Sequence, residues 1–142
     1  MPVMPAEWQP AARHLAAEVT DPVSRWRAVV ESVPRHVFVP HWWEWQRPDG
    51  WSVRDGPAAV IDWVEAAYRD RTLVTRLGTA HADHARPDDH PDGRPTSSAT
   101  QPGLVVAMYR HAGITDDSDV LDVGTGSGTG PRCLPGVSAK AA

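Results

Sequence analysis

The stretch that most constrains the fold runs from Val120 to Gly130 and reads Val-Leu-Asp-Val-Gly-Thr-Gly-Ser-Gly-Thr-Gly. Its apolar start predicts a short buried strand, and its alternating glycines predict a tight turn directly after that strand. Glycine suits such a turn because it adopts positive φ and has no Cβ to keep a ligand away from the backbone. The stretch therefore predicts a loop that holds a nucleotide-like cofactor at the end of a strand.

The residues before this stretch favour helices joined by short strands. Apolar residues at i, i+3, i+4 and i+7 predict a helix over residues 7–19. Asp21-Pro22 predicts the N-cap and first turn of a second helix, which ends near Val33. Two more helices are predicted from Pro57 onwards and over residues 102–112. Short strands are predicted at residues 33–40, as an edge strand between prolines, and at residues 73–74.

Three polar or aromatic segments are predicted to be loops. Residues 41–51 contain four tryptophans before and after a Pro-Asp-Gly turn, and we expect these rings to cover a core or to stack on a peptide or sugar. Residues 81–95 carry His81, His84 and His90 among several aspartates, which suggests a metal site, but their spacing matches no defined site and favours a solvated loop. Residues 96–100 are expected to cap the fourth helix.

The composition argues against several classes of function. A net charge of −4 at pH 7 gives no overall basic field that would attract nucleic acid or an anionic membrane. No apolar run is long enough to cross a bilayer, and the first residues lack the basic and apolar regions of a signal peptide. A single cysteine, Cys133, excludes an internal disulfide, so we expect a cytoplasmic protein.

Four motifs together resemble one enzyme family. They are Val33-Pro-Arg-His-Val-Phe-Val-Pro40, Tyr68-Arg-Asp-Arg, Thr96-Ser-Ser-Ala-Thr-Gln-Pro102 and Val120-Leu-Asp-Val-Gly-Thr-Gly-Ser-Gly128. Their order and rough spacing across residues 20–128 are similar to those of protein-L-isoaspartate O-methyltransferases, most of all to the bacterial branch that includes peptide-maturation methyltransferases. The resemblance implies transfer of a methyl group from S-adenosylmethionine to a side-chain or isoaspartyl carboxylate of a protein or peptide. Such an acceptor is already ionised near neutral pH, so positioning and partial desolvation suffice without a strong general base.

The resemblance also implies a fold and a set of site residues. The fold is α/β, Rossmann-like, of which this chain would carry a mostly helical N-terminal part with short strands (residues 1–95) and the start of the cofactor-binding domain with its first core strand (residues 96–130). Residues 96–100 would lie over the methyl-donor site. The family's functional hydroxyl precedes the proline by two residues, which makes it Thr100 here, where the family usually has Ser, with Ser98 as the alternative. The expected cofactor-binding residues are Asp122, Gly124, Thr125, Gly126 and Gly128. Arg35 is expected either to contact a substrate carboxylate or to anchor its own turn.

The similarity stops after Gly128, where the family continues into an apolar helix. Residues 131–142 contain Pro131 and Pro135 and have no apolar period, so we expect a disordered tail. When the codons are re-read from their third base, with G or C at free positions, they can encode Tyr-Gly followed by an Ala-, Leu- and Arg-rich helix. Our hypothesis is that a frameshift near the Gly128 codon truncates the enzyme, leaving an inactive form whose strand 120–123 has no partner.

Two other readings remain open. The first is a non-enzymatic helical module that binds a peptide or partner through its tryptophan-rich surface. The second is a nucleotide-binding half-domain that another chain completes. The sequence does not choose an oligomeric state for any of the three.

Overall fold

The computed structural model describes residues 8–128 and 138–141. Within these residues the chain forms four α-helices, a five-stranded sheet in which all pairings are antiparallel, and a two-stranded parallel sheet. The expected mixture of helices and strands is confirmed, with more antiparallel sheet than the sequence predicts. None of the helices in this part of the chain combines the length and the apolar character needed to cross a membrane.

The first two helices pack together over one part of the core. α1 (Trp8–Val19) and α2 (Arg25–Ser32) lie where the apolar spacing predicts them. The expected N-cap at Asp21 is wrong: Ser24 caps α2, and its side chain accepts a hydrogen bond from the N–H of Trp26 at 3.2 Å. The buried residues of this cluster come from both helices and from later elements: Ala12, Leu15, Ala16, Trp26, Val30, Ala67, Tyr68 and Val106.

Residues 33–40 do not form the expected edge strand. They form a 3-10 helix, Arg35–Phe38, which ends with a hydrogen bond from the N–H of Val39 to the carbonyl oxygen of His36. The turn buries two polar side chains side by side, since Arg35 is 2% exposed and His36 is fully buried. Both find partners in the interior, so tertiary contacts outweigh the β-propensity of the valines and phenylalanine.

The aromatic segment that follows is a β-hairpin, so its expected loop structure is wrong. β1 (His41–Gln46) pairs antiparallel with β2 (Gly50–Asp55) over their full length. Tryptophan and valine favour strands, and the Trp45–Trp51 cross-strand pair packs edge to face at 5.4 Å between ring centroids. The predicted Pro-Asp-Gly turn joins the strands, and Gly50 takes the positive φ of 81° that this turn requires.

A central strand joins the hairpin to the rest of the sheet. The expected strand at residues 73–74 is confirmed and is longer, as β3 (Leu73–Leu77). It pairs with β1, β4 (Ala80–His81) and β5 (Pro95–Ala99). The expected loop at residues 81–95 is correct only from residue 85 to 94, since a strand and a 3-10 turn precede it. That turn is the 3-10 turn Ala82–His84, and the helix that precedes β3 is α3 (Val60–Ala67).

A β-bulge interrupts the pairing of β3 with β5. Val74 is opposite Ser98 and Arg76 is opposite Ser97, so Thr75 is the extra residue on β3. A bulge changes which face of the strand the following residues occupy. Accordingly Leu73 packs in the cluster that contains Trp42, and Leu77 packs in the cluster that contains Trp43.

The fourth helix begins in a way that the sequence does not reveal. Residues 96–100 were expected to cap it, but residues 95–99 are β5, and the side chain of the N-cap residue Gln101 makes no capping hydrogen bond. Asp70 caps α4 (Pro102–His111) from a distant loop, because its carboxylate accepts the N–H of Gly103 at 2.7 Å and the side-chain N–H of Gln101 at 2.9 Å.

The strand that precedes the glycine loop has a partner, contrary to expectation. β6 (Asp119–Asp122) pairs in parallel with β7 (Ser138–Ala141). A fully disordered tail is therefore wrong for residues 138–141, whereas residues 129–137 and 142 lie outside the described part of the chain. Val120 packs against the main core, while Leu121 is 66% exposed and Val123 is 75% exposed.

Candidate functional site

The glycine loop after β6 has the backbone conformation that its sequence predicts. Gly124, Gly126 and Gly128 have φ values of 76°, 63° and 84°. Only glycine adopts this left-handed region without strain, so each of the three positions requires it. The loop closes on itself, since the N–H of Gly128 bonds to the carbonyl oxygen of Thr125 at 3.2 Å. The hydroxyl of Thr125 lies 3.4 Å from the carbonyl oxygen of Asp122.

The same loop lies directly against β5. A Cβ added to Gly126 would stand 2.8 Å from the carbonyl oxygen of Ser98 and 3.9 Å from the hydroxyl of Ser97. At Gly128 an added Cβ would stand 3.8 Å from the ring of Phe38. The fold thus brings the expected cofactor loop into contact with Ser98, one of the two expected catalytic hydroxyl residues.

Thr100, the other expected catalytic residue, lies in different surroundings. It follows the end of β5, and its carbonyl oxygen accepts a hydrogen bond from Arg35 at 3.3 Å. It borders a cavity of about 30 Å³ whose lining is mainly apolar and includes Leu15, Val30 and Val105. Thr100 therefore adjoins the helical core, whereas Ser97 and Ser98 adjoin the glycine loop.

Arg35 anchors the turn, one of its two expected roles. Its guanidinium donates to the carbonyl oxygens of Ala67 at 2.6 Å, Arg71 at 3.0 Å, Ala99 at 3.2 Å and Thr100 at 3.3 Å. These carbonyls end α3, the following loop and β5. One buried cation therefore links its own motif at residues 33–40 to the motifs that contain Arg71 and Thr100, and also to the end of α3.

A polar cavity of about 210 Å³ opens beside the glycine loop. Gly126 and Ser127 form one wall, and residues from the 3-10 helix, β1, β3 and the turn after β4 form the rest. The lining residues are Phe38, Pro40, His41, Thr75, His81, Asp83, Gly126 and Ser127. This cavity brings two histidines and an aspartate to the loop that was expected to hold the cofactor.

Asp83 organises the two histidines of this cavity. The Nδ1 atom of His41 lies 3.0 Å from Oδ1 of Asp83, and the backbone N–H of Asp83 donates to Nδ1 of His81 at 3.2 Å. Asp55 lies on the far side of His41, with its Oδ1 at 3.7 Å from Nε2. His84 lies beside His81 with 5.8 Å between ring centroids and the two rings tilted by 46°.

Sequence reasoning missed His41 and Thr75 as members of a site. His41 was hidden within the tryptophan-rich segment, and the position of Thr75 depends on the bulge. One signal was present: Thr75 is the polar residue between Leu73 and Leu77 in the pattern Leu-Val-Thr-Arg-Leu, and it is 5% exposed. His81 and His84 lie close together, but no group of three or more His, Cys, Asp or Glu within residues 8–128 and 138–141 is arranged to hold a metal ion.

The tryptophans divide between core and surface. Trp42 and Trp43 are buried on opposite faces of β1, and Trp63 donates its indole N–H to the carbonyl oxygen of Val39 at 2.9 Å. Trp45 is 56% exposed and packs edge to face on Trp51, next to the turn of the hairpin. A stacking surface is therefore limited to this one pair.

Comparisons with known proteins identify no relative of this chain. No protein-family model matches the chain, and no curated protein or solved structure is significantly similar to it. The resemblance to protein-L-isoaspartate O-methyltransferases thus stays a prediction based on four motifs.

Proposed function

We propose that this chain is related to S-adenosylmethionine-dependent protein carboxyl O-methyltransferases, with a Rossmann-like core that begins at β6, and that its glycine loop contacts the methyl-donor end of the cofactor. The observation that carries the proposal is the contact between Gly126 and the backbone of Ser98. Two motifs that are separated in the sequence and were expected to serve one reaction lie against each other. The cavity beside them gives a protein or peptide acceptor access to the same place.

The chemistry requires little from the side chains. A sulfonium methyl group and an ionised carboxylate react by direct displacement: the carboxylate oxygen forms a bond to the methyl carbon as the carbon–sulfur bond breaks and its electron pair stays on sulfur. The protein contributes orientation and a partly dry environment. Backbone N–H groups of a glycine loop and serine hydroxyls of β5 are suitable donors for both tasks.

The described residues supply only part of a cofactor site. Groups that hold ribose and adenine in a Rossmann-like site come from strands that follow the first one. We therefore expect a polypeptide of residues 1–142, tested alone, to bind the cofactor weakly and to transfer no methyl group at a measurable rate.

Titration of the ¹⁵N-labelled chain with S-adenosylhomocysteine tests the proposal. We expect the amide NMR signals of residues 124–128 and 97–100 to shift together, with saturation only in the millimolar range. Gly126→Ala is expected to abolish these shifts, because its Cβ would collide with the carbonyl oxygen of Ser98 at 2.8 Å. Gly113→Ala is the matched control, since Gly113 also has a positive φ of 64° but has open space around it.

The outcomes separate the proposal from its alternatives. Shifts that are absent, or that survive unchanged in Gly126→Ala, would contradict a cofactor role for the loop. Micromolar binding with turnover of a peptide substrate would contradict the claim of inactivity. Shifts confined to Trp45 and Trp51 on addition of peptides would favour the second candidate, a non-enzymatic binding module, because this exposed aromatic pair is the surface that such a module would use.

A further inference from the structure

Three aspartates of this chain are followed directly by glycine. The three steps are Asp49-Gly50, Asp55-Gly56 and Asp92-Gly93. In such a step the backbone nitrogen of the glycine can attack the side-chain carboxyl carbon of the aspartate and close a five-membered succinimide ring. Glycine permits this reaction best, because it has no Cβ beside its nitrogen and its backbone rotates most freely. Since all three steps share this glycine, the folded structure decides which of them reacts.

The step at Asp55 is held on both sides. The N–H of Gly56 donates to the carbonyl oxygen of Pro40 at 2.8 Å, and a Cβ added to Gly56 would stand 2.5 Å from the ring of Trp63. The carboxylate of Asp55 accepts the N–H of Ala58 at 3.1 Å. Both reacting groups are therefore engaged in other contacts, and the close packing leaves no room for the peptide plane to turn.

The step at Asp49 lies in the turn of the β1–β2 hairpin. Gly50 is paired with Gln46 at the end of the ladder and takes a positive φ of 81°. Ring closure at this step would reorient the peptide plane between Asp49 and Gly50 and break the end of the ladder. The pairing therefore slows the reaction there, although Asp49 itself is exposed.

The step at Asp92 has none of these restraints. Asp92 and Gly93 are both exposed and belong to the polar loop at residues 85–94, outside any helix or strand. Within the described residues, neither the carboxylate of Asp92 nor the N–H of Gly93 takes part in a hydrogen bond or an ion pair. A Cβ added to Gly93 would come no closer than 3.7 Å to any atom beyond the neighbouring residues, so the peptide plane has space to rotate.

We propose that Asp92 is a site of spontaneous isomerisation to isoaspartate. The nitrogen of Gly93 forms a bond to Cγ of Asp92 as a carboxyl C–O bond breaks, and the departing oxygen leaves as water with the proton of the nitrogen and the proton of the carboxyl group. A second water molecule then adds its hydroxide to the backbone carbonyl carbon of Asp92. The bond from that carbon to the nitrogen breaks, and the electron pair stays on the nitrogen, which takes the remaining proton. The chain then continues through the side chain of residue 92, and water is the only reagent.

The product changes the attachment of β5 to the turn between β3 and β4. Asp92 lies two residues before Arg94, whose carbonyl oxygen accepts the N–H of Gly78 at 3.1 Å. The hydroxyl of Thr96 donates to the carbonyl oxygen of Gly78 at 2.9 Å. An isoaspartyl link inserts one carbon into the main chain, so this junction has to shift. Isomerisation at residue 92 therefore loosens the strand whose Ser98 borders the glycine loop.

Peptide mapping of the full 142-residue chain tests the site. Folded chain and chain unfolded in guanidinium chloride are kept at neutral pH until the unfolded sample shows isomerised peptides for all three steps. Endoproteinase Asp-N cleaves before aspartate but not before isoaspartate, and the uncleaved peptides are separated by chromatography. In the folded chain we expect the isomerised fraction at Asp92 to exceed those at Asp49 and Asp55 by about tenfold or more, since the other two steps must first open locally. In the unfolded chain the three fractions should be similar.

Two variants sharpen the test. Gly93→Ala places a Cβ beside the attacking nitrogen where the fold has room for it, so we expect the isomerised fraction at Asp92 to fall several-fold with an unchanged circular dichroism spectrum. Asp88→Glu in the same loop is the matched control and should leave that fraction as it is in the wild type. Equal fractions at the three steps of the folded chain, a larger fraction at Asp49 or Asp55, or an unslowed reaction in Gly93→Ala would overturn the site.

Hydrogen exchange tests the effect on β5. The isomerised and unmodified chains are separated, and we expect the N–H of Gly78 to exchange faster in the isomerised chain while the N–H of Gly56 exchanges equally in both. Equal exchange at Gly78 would overturn the loosening of β5. The inference does not rest on the proposed function, so a failed titration with S-adenosylhomocysteine would contradict that function alone.

Discussion

At the scale of single residues, the buried Arg35 joins several segments of the described interior through its hydrogen bonds. Its guanidinium replaces water for four backbone carbonyls that belong to three different segments. One side chain can bind so many carbonyls because a planar guanidinium offers five donors in fixed directions.

We predict that Arg35→Ala lowers the free energy of unfolding by about 3–5 kcal/mol, because it leaves buried carbonyls unpaired and opens a cavity. Urea denaturation followed by circular dichroism measures the change. Arg13→Ala on the exposed face of α1 is the control and should change stability by less than about 0.5 kcal/mol. An equal effect of the two substitutions would show that Arg35 does not anchor its neighbours.

His36 makes stability depend on pH. Its ring is fully buried among Trp8, Trp63 and Tyr68, with Nδ1 at 2.7 Å from the Tyr68 hydroxyl, and Nε2 has no partner within the described residues. Burial lowers the pKa of His36 from its ordinary value of 6.5, because the charged ring would lose its hydration. Burial likewise raises the pKa of Tyr68, so its hydroxyl stays protonated. The folded chain therefore binds fewer protons than the unfolded chain once the pH falls below 6.5.

We predict that this contribution is complete above pH 6.5 and is lost as the pH falls below it, with a slope of up to about 1.4 kcal/mol per pH unit. Urea midpoints between pH 4.5 and 8 measure the slope. His36→Phe keeps the edge-to-face contact with Trp63 and removes the titrating group. We expect the difference in free energy of unfolding between variant and wild type to be constant above pH 6.5. Below that pH the wild type should lose stability relative to the variant. Parallel curves for the two proteins would contradict the assignment.

At the scale of elements, local sequence decides some structures and tertiary contacts decide others. The helices α1 and α2 follow from apolar spacing alone, since each presents one stripe to the core. The 3-10 helix at Arg35–Phe38 could not be predicted this way, because the partners that stabilise it lie 32 or more residues away. The β1–β2 hairpin could have been predicted from the sequence, because its tryptophans and valine flank a recognisable turn.

The cap of α4 comes from Asp70, a residue that is distant from the helix in the sequence. Asp70 accepts the N–H of Gly103, and a Cβ on Gly103 would stand 2.7 Å from the same carboxylate. The motif Tyr68-Arg-Asp-Arg and the motif that ends at Pro102 are thus joined by a direct contact.

We predict that Asp70→Ala destabilises the chain by about 1–2 kcal/mol, the usual effect of removing a helix cap. Thermal or urea unfolding gives the value, and hydrogen exchange at the first turn of α4 should increase most. Asp88→Ala removes an exposed carboxylate from the loop at residues 85–94 and serves as the control. A loss of stability that is equal in both variants would argue against the cap.

At the scale of the whole molecule, the sequence predicts contacts within motifs better than contacts between them. The positive φ values of the glycine loop follow from its composition, and Ser98 was expected near the methyl donor. The cavity histidines could not be predicted, because His41 and Asp83 meet through the pairing of β1, β3 and β4. The partner of β6 was missed because residues 138–141 carry no apolar strand pattern.

The central position of β3 also determines the order in which the sheet can be completed during synthesis. β1 emerges from the ribosome before β3, whereas β4 and β5 emerge after it. The 3-10 turn and the ten residues of the polar loop at 85–94 separate β4 from β5. The nascent chain therefore passes through a stage in which part of β3 has an open edge. An unpaired edge is a site where strands of other chains can add. Arg76, the fourth residue of β3, is exposed and brings a charge close to that edge, which opposes such additions until β5 arrives.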